Sequence, residues 1–515
     1  MAETATMAQD APNTLDESLK ILICASEMEP FAKTGGLADV TAALSKRLAR
    51  AGHQVKLFLP KFKSVYQTGV RAEASPESLE ISVNGGVLPL RWETYRDKAN
   101  GFEVIFVVND DLFHREQIYQ DTQTGLDYED NDTRFIFFCR AALEIVKKMD
   151  WSPDIIHAND WQAALAISLY KTAYADDPFF KNTRSLLTIH NAAYQGVFDQ
   201  TSLVKIGDSA TRREIAPALT HRGKINFLKS AIHYADIVNA VSERYAVEIQ
   251  SSREYGYGLE GPLRQRNSDL FGALNGVDYE VWNPESDALI PHHYSSKDLS
   301  GKLKNKSALQ RELKFIENTQ LPLIGMITRL TEQKGIDLFL EIAEDILSLD
   351  VQMVALGEGE RKYASDLQEL EKQFPNNFRA LIGFDNRMAH MIEAASDMYL
   401  MPSRYEPCGL NQLYSLRYGS VPSVRETGGL ADTISEYDPT TGKGIGFVFK
   451  NYSSDELLEA MCRALDLYPQ RDKWVELMKA GMNMDFSWDK SVKRYEELYR
   501  RALAKRQPEQ AALSA

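Results

Sequence analysis

The sequence predicts an α/β chain built from two doubly wound, Rossmann-like domains, and three observations carry that prediction. Short apolar runs rich in Val, Ile and Leu alternate with amphipathic, helix-like segments in two successive blocks. The runs are continuously apolar, the pattern of strands buried on both faces of a parallel sheet. The six residues Thr-Gly-Gly-Leu-Ala-Asp occur once in each half, at 34–39 and at 427–432. Strand–helix alternation of this kind reads as open sheets with helices on both faces.

In the first block, residues 19–26 form a strand candidate. Residues 41–50 are an amphipathic helix closed by Gly52, and 53–60 the next strand. Strands follow at 103–108 and 154–157, with a helix over 134–148 between them. A helix over 161–174 leads to strands at 185–190 and 236–241. The second block has strands at 323–328 and 351–356 around a helix at 335–349. Strands at 380–384 and 397–401 flank a helix at 387–395. A helix at 410–418, a strand at 421–424 and a last strand at 446–449 complete it. The linker is placed near 261–276, rich in glycine and polar residues and containing Pro262. The expected organisation is a disordered extension (1–18), an N-terminal domain (19–268), a C-terminal domain (269–486), a helix (487–506) and a disordered tail (507–515). The charged, amphipathic helix either caps the second domain or crosses back to the first.

Composition narrows the function. The chain has 515 residues, 44% hydrophobic and 26% charged, enough for large cores. A net charge of −14 argues against nonspecific nucleic-acid binding, which needs a basic footprint. A small phosphorylated ligand stays open, because local Arg and Lys can serve one site. Cys24, Cys139, Cys408 and Cys462 have neither metal-ligand nor redox-pair spacing. The polar, acidic start lacks the basic and apolar regions of a signal peptide, and no apolar stretch is long enough to span a bilayer. The expected location is cytoplasmic, with no membrane partner.

In open α/β sheets ligands bind beyond the carboxyl ends of the strands, and the unusual polar clusters fall at those ends. Paired glycines let a backbone approach a ligand, and the start of the following helix favours an anion. The two hexamers therefore suggest an oxyanion-binding lip on each side of a deep cleft, with Lys33, Gly35 and Gly36 on one wall and Thr427 and Gly428 on the other. Arg329 and Lys334 lie five apart with Gly335 opening a helix, a pairing that suits a diphosphate or else two surface cations. His190 and Asn191 end a strand; they can meet a substrate or satisfy local hydrogen bonds. Glu406, held by Pro407 and Gly409, can accept from sugar hydroxyls, cap the helix near Gly409, or do both. Phe384 can stack on a flat base, and Tyr119, Tyr128, Trp161 and Tyr194 on sugar faces, unless they are packing. There is no P-loop, serine elbow or strand-borne GxGxxG.

A set of motifs resembles the bacterial glycogen synthases and plant starch synthases. They are Lys33-Thr-Gly-Gly-Leu-Ala-Asp39, His157-Ala-Asn-Asp-Trp161, Thr188-Ile-His-Asn-Ala-Ala-Tyr-Gln-Gly196, Leu274-Asn-Gly-Val-Asp278, Arg329-Leu-Thr-Glu-Gln-Lys-Gly335, Pro402-Ser-Arg-Tyr-Glu-Pro-Cys-Gly-Leu410 and Thr427-Gly-Gly-Leu-Ala-Asp432. The likeness runs from about residue 19 to 501 and includes Gly125-Leu-Asp-Tyr-Glu-Asp-Asn131 and Asp485-Phe-Ser-Trp488. It implies the GT-B fold and retaining transfer of glucose from ADP-glucose to the nonreducing 4-hydroxyl of an α-1,4-glucan, without cofactor or metal. By the same resemblance, Arg329 and Lys334 hold the donor diphosphate, with Lys33 and the Gly35-Gly36 backbone opposite. His190 lies near the anomeric carbon and Glu406 binds the glucose. The backbone of Cys408, Gly409 and Leu410 lies near its hydroxyls, and Phe384 stands where adenine stacks. Asp39, Asp160 and Glu27 are implied on the acceptor side, where Trp161, Tyr119 and Asn191 are also placed. Gln162, Asn411, Phe384 and Ser242-Glu243-Arg244 depart from the family pattern. A different acceptor such as glucose 1-phosphate, or a non-catalytic glucan-binding protein on the same fold, remain alternatives.

Overall fold

The computed structural model describes residues 18–505, with residue 84 excepted. The segments expected to be disordered lie outside the described residues, except for Ser18. The chain divides into two compact units. One holds the described residues of Met1–Thr188, Gln195–Val238 and Val492–Ala515; the other holds Ile189–Tyr194 and Asn239–Ser491. The linker read near 261–276 thus lies inside the second unit, whose packing begins at Asn239.

The strands of the first sheet are, in chain order, Lys20–Cys24, Gln54–Pro60, Phe102–Val108, Ile155–Asn159, Arg184–Ile189 and Ile237–Ala240, and the first five run parallel. Numbered along the chain, they lie side by side as 6-5-4-1-2-3. The register is fixed by pairs such as Ile21 with Val55, Ile21 with Ile155, and Leu57 with Val104. Beyond the third strand the sheet continues antiparallel through Gly86–Asp97, itself paired with Leu79–Val83. The helix Gly36–Arg50 buries Leu37, Val40, Leu44 and Leu48. The fourth strand carries a buried histidine: the His157 ring meets Tyr499 Oη at 3.0 Å and Thr188 Oγ1 at 2.8 Å. Tyr499 belongs to the C-terminal helix Trp488–Ala504, which packs with this unit from Val492 on. Arg184 Nε donates to the Lys505 carbonyl (3.0 Å), so this strand-end cluster docks a helix.

The second unit has one fully parallel sheet. Its strands Leu323–Ile327, Gln352–Gly357, Phe378–Ile382, Met398–Met401, Val421–Arg425 and Phe447–Phe449 lie in the order 3-2-1-4-5-6, the order of doubly wound dinucleotide-binding sheets. Its core joins Ile324, Met326, Leu400 and Val421 to Leu338, Phe339 and Ile342 of the helix Ile336–Leu347, and to Phe447 and Trp474. In both units the strand order reverses between the first and fourth strands. The crevice beyond their carboxyl ends is where such sheets bind ligands.

Candidate active site

In the second unit the two loops at the switch point are locked together. After the first strand the chain makes a 3₁₀ turn at Glu332–Lys334, then Gly335 at φ +71°. A Cβ on Gly335 would overlap the Pro402 carbonyl oxygen, so only glycine lets the helix Ile336–Leu347 start this close to the loop after the fourth strand. Backbone bonds hold the contact: Arg404 N donates to the Gln333 carbonyl at 2.9 Å. The outcome is an ion pair, Lys334 Nζ to Glu406 Oε2 at 2.6 Å, with Ser403 Oγ donating to the same oxygen at 2.9 Å. Glu406 is buried. Arg329 stays exposed, its guanidinium 3.4 Å from Gln333 Oε1. A sheltered cation, a carboxylate and a solvent-facing guanidinium are thus grouped on two loops at the switch point.

The neighbouring candidates divide. Phe384 follows Gly383 (φ +131°) and is 73% exposed, so its ring is not core. Cys408 is buried and desolvation pushes its thiol up to about 12, which favours the neutral thiol at neutral pH. Gly409 turns at φ +71°, and Leu410 accepts at its carbonyl from Leu413 and Tyr414 as the next helix starts. Asn411 Nδ2 donates to the Ile327 carbonyl (2.7 Å) and to Tyr399 Oη (2.8 Å), so this departure from the family pattern ties the helix to the sheet. His190 keeps partial exposure, but desolvation drives its imidazolium down to about 3, leaving a neutral ring at physiological pH. Asn191 Oδ1 accepts from Ala193 N at 3.0 Å, and Ala192 N donates to Tyr245 Oη at 2.9 Å.

The second hexamer differs from its expected role. Thr427, Gly428 and Gly429 are buried. Gly428 N donates to both carboxylate oxygens of Glu248 (3.1 and 3.0 Å), Thr427 Oγ1 reaches the same pair (3.3 and 3.2 Å), and Gly429 N donates to the Glu406 carbonyl (3.0 Å). These donors are taken by protein acceptors, so Thr427 and Gly428 are a brace for the Glu406 loop and not an open oxyanion lip.

In the first unit the hexamer is open. Lys33, Thr34 and Gly36 are exposed and Gly35 partly so. Glu27, expected on the acceptor side, is instead buried against this corner. It accepts from Thr34 N (2.6 Å), Thr34 Oγ1 (2.6 Å), Gly35 N (3.0 Å) and Tyr119 Oη (2.8 Å). Tyr119 also meets Ser26 Oγ at 2.7 Å, so its hydroxyl is committed to this corner. Lys33 pairs with Asp39 (2.7 Å) and more loosely with Glu29 (3.5 Å). Desolvation pulls the Lys33 ammonium down, and these two carboxylates more than restore it. Burial raises Asp39, partly offset by Lys33. Asp160 opens the helix Asp160–Lys171 in a left-handed conformation (φ +54°), the kind of backbone strain that clusters at functional sites. Trp161 is core: it packs edge-on to Phe135 (4.9 Å) and Phe198 (5.7 Å), and a Cβ on Gly196 would overlap its ring. Gln162 is buried in the same helix.

Sequence reasoning missed Glu248, Ser242 and Ser403. The available signals were a serine N-cap before Glu243–Ser251 and a glutamate beside the buried Tyr245 and Ile249 of that helix. Among the described residues, no group of three or more His, Cys, Asp or Glu is arranged to hold a metal ion, and no helix is long and apolar enough to cross a membrane.

Residues 20–265 match the model of the starch synthase catalytic domain, and residues 310–480 that of the group 1 glycosyl transferases. The chain is 44% identical over 488 residues to a glycogen synthase of Geotalea daltonii, covering 95% of this chain and all of the relative. The chain belongs to the glycogen synthase family. It is also 43% identical over 492 residues to the glycogen synthase of Thermotoga maritima, covering 95% of this chain and 99% of that one. Among solved structures it resembles the catalytic domain of starch synthase IV from Arabidopsis thaliana bound to ADP and acarbose. The TM-score is 0.86 at 34% identity, covering 95% of this chain and all of that one. This glycogen synthase relative is therefore a glycosyltransferase of the GT-B fold.

Proposed function

We propose that the chain transfers glucose from ADP-glucose to the nonreducing 4-hydroxyl of an α-1,4-glucan with retention at the anomeric carbon. The observation that carries this reading is the Lys334–Glu406 pair, with Ser403 on the same carboxylate, at the switch point of the second sheet. The ADP and acarbose on the Arabidopsis starch synthase support the choice of a nucleotide sugar and a glucan.

Breaking the glucosyl–phosphate bond builds negative charge on the departing diphosphate and positive charge on the anomeric carbon. Arg329 and Lys334 are assigned to the diphosphate, where preplaced cations stabilise the developing charge without reorganising. Each well-placed group of this kind is worth about 2.7–4 kcal/mol. Lys33 is assigned to the same ligand. Glu406 accepts from glucose hydroxyls, and because it already holds Lys334 it fixes where that ammonium points. His190, neutral at working pH, offers a hydrogen bond near the anomeric carbon with no charge of its own. Phe384 stacks on the adenine, and Asp39, Asp160 and Asn191 serve the acceptor. Attack is front-face: the acceptor oxygen bonds the anomeric carbon as the carbon–oxygen bond to phosphate breaks. The departing phosphate takes the hydroxyl proton. A cytoplasmic location goes with this reading.

A donor panel tests it. Purified protein is offered ADP-glucose and UDP-glucose, each with glycogen or glucose 1-phosphate as acceptor, and nucleoside diphosphate release and the glucosylated product are followed. Elongation preferring ADP-glucose supports the proposal. Preference for UDP-glucose overturns the donor, maltose 1-phosphate formed from glucose 1-phosphate overturns the acceptor, and glycogen binding without transfer overturns catalysis.

A further inference from the structure

The helix Glu243–Ser251 has no contact role in the reading above, yet its polar groups converge on the loop that carries Glu406. Ser242, its N-cap, donates from Oγ to the Pro407 carbonyl at 2.6 Å. Six residues on, the buried Glu248 carboxylate sits astride the Thr427-Gly428 corner and accepts from Gly428 N and Thr427 Oγ1. Arg244 Nε steadies that carboxylate from 3.2 Å.

The corner so held is the seat of residue 406. Gly428 has φ +44°, and a Cβ there would overlap the Glu406 carbonyl oxygen. A Cβ on Gly429 would overlap the Cys408 carbonyl oxygen, and Gly429 N donates to the Glu406 carbonyl at 3.0 Å. The peptides from 406 to 408 therefore lie flat on two glycines whose orientation Glu248 sets. The brace is reciprocal: Asp432, last residue of the hexamer, accepts at Oδ2 from Arg244 N at 2.9 Å in the first turn of the Glu248 helix. Gly428 N reaches both oxygens of the one carboxylate at 3.0 and 3.1 Å, so a two-oxygen acceptor spans the left-handed glycine.

We infer that Glu248 is a positioning residue for Glu406, acting through the Thr427-Gly428-Gly429 corner, with Ser242 as its partner on Pro407. The inference rests on the reading of Glu406 as a sugar-binding group. It predicts that loss of Glu248 lowers turnover by letting the Glu406 loop shift, and that this loss has nothing left to act on once Glu406 is disabled.

The test is a double-mutant cycle on the full chain, with ADP-glucose and glycogen as substrates and thermal unfolding of each variant as the fold control. Glu248→Ala is expected to lower kcat by about thirtyfold, Glu248→Gln to regain most of it by keeping one acceptor oxygen, and KM for glycogen to hold. In a Glu406→Gln background the added loss from Glu248→Ala should shrink to less than about threefold. An undiminished, multiplying loss overturns the inference, as does unchanged kcat in Glu248→Ala while Glu406→Gln is crippled. Full activity of Glu406→Gln overturns the Glu406 reading itself and the inference with it. Should Glu248→Ala not fold, Ser242→Ala goes through the same cycle. A kcat loss that vanishes beside Glu406→Gln supports the inference, and no loss or a multiplying one overturns it.

Discussion

The same six residues stand in the two units and do different work. At 34–39 Thr34 and Gly36 are open to solvent and Gly35 partly so, and Asp39 pairs with the exposed Lys33 just before them. At 427–432 the first three are buried, and Asp432 is spent on a neighbouring helix. Yet each copy keeps one device, a buried glutamate on its Thr-Gly corner: Glu27 in the first unit, Glu248 in the second. The hexamer encodes a corner that wants a carboxylate. What lies over that corner, solvent or the Glu406 loop, decides whether it is a surface or a scaffold.

The conformations differ too, and this yields the sharpest prediction. Gly35 is extended at φ −162° with open space where a Cβ would go, while Gly428 is left-handed and pressed on the Glu406 carbonyl. Gly428→Ala should cost about 1–3 kcal/mol from backbone strain alone, and more once the overlap displaces the loop, with activity lost. Gly35→Ala should shift stability by no more than about 0.5 kcal/mol. Thermal unfolding of the two variants decides; equal effects would erase the distinction between the copies.

Next in size are the lysines. Lys334→Ala should lower kcat by roughly 10²–10³, the range for removing one donor to developing charge. Lys33→Ala should lower kcat/KM by about tenfold, more at low salt, since an exposed charge is screened. Steady-state kinetics at two ionic strengths separates them, and a larger loss at Lys33 would reverse the weight given to the two units.

A smaller effect is expected at Phe384. Because it is 73% exposed, Phe384→Ala should leave the unfolding temperature alone. Base–aromatic stacking is worth about 1–3 kcal/mol, so KM for ADP-glucose should rise with kcat nearly unchanged. Unaltered KM would strike Phe384 from the donor site.

Smallest is a pH effect at His190. Its folded-state value near 3 lies below the unfolded value of about 6.5, so unfolding takes up a proton between those pH values. His190 therefore makes the fold lose stability as pH falls through that window. Its ring should show no titration above about pH 4 by NMR, and no limb of the rate profile between pH 5 and 9 should belong to it.

Much of the fold was legible because buried parallel strands are continuous apolar runs: all six strands of the second sheet fall within a residue or two of their expected positions. The pair Leu79–Val83 and Gly86–Asp97 was not read, because an edge hairpin buries alternate residues such as Leu90 and Trp92 and leaves the rest polar. The helices Arg361–Gln373 and Ser300–Glu312 were missed because charge and amides dominate them. At the site, Lys334 and Glu406 were legible as residues at strand ends, but their mutual ion pair was not. Spacing along the chain does not say that two loops 72 residues apart are stitched together. The bonds that hold Glu27 and the rings that pack Trp161 were not legible either, because sequence shows a residue's chemistry and not what already satisfies it.

The carboxylate of Glu406, seated beside Lys334, is the group proposed to serve glucosyl transfer. The direct measurement is transfer of labelled glucose from ADP-glucose to glycogen by the wild type and by Glu406→Gln, with unfolding temperatures in parallel. The expected result is chain elongation with stoichiometric ADP release in the wild type, and a loss of at least about a hundredfold in the variant at an unchanged unfolding temperature. Near-normal elongation by a folded Glu406→Gln would contradict it.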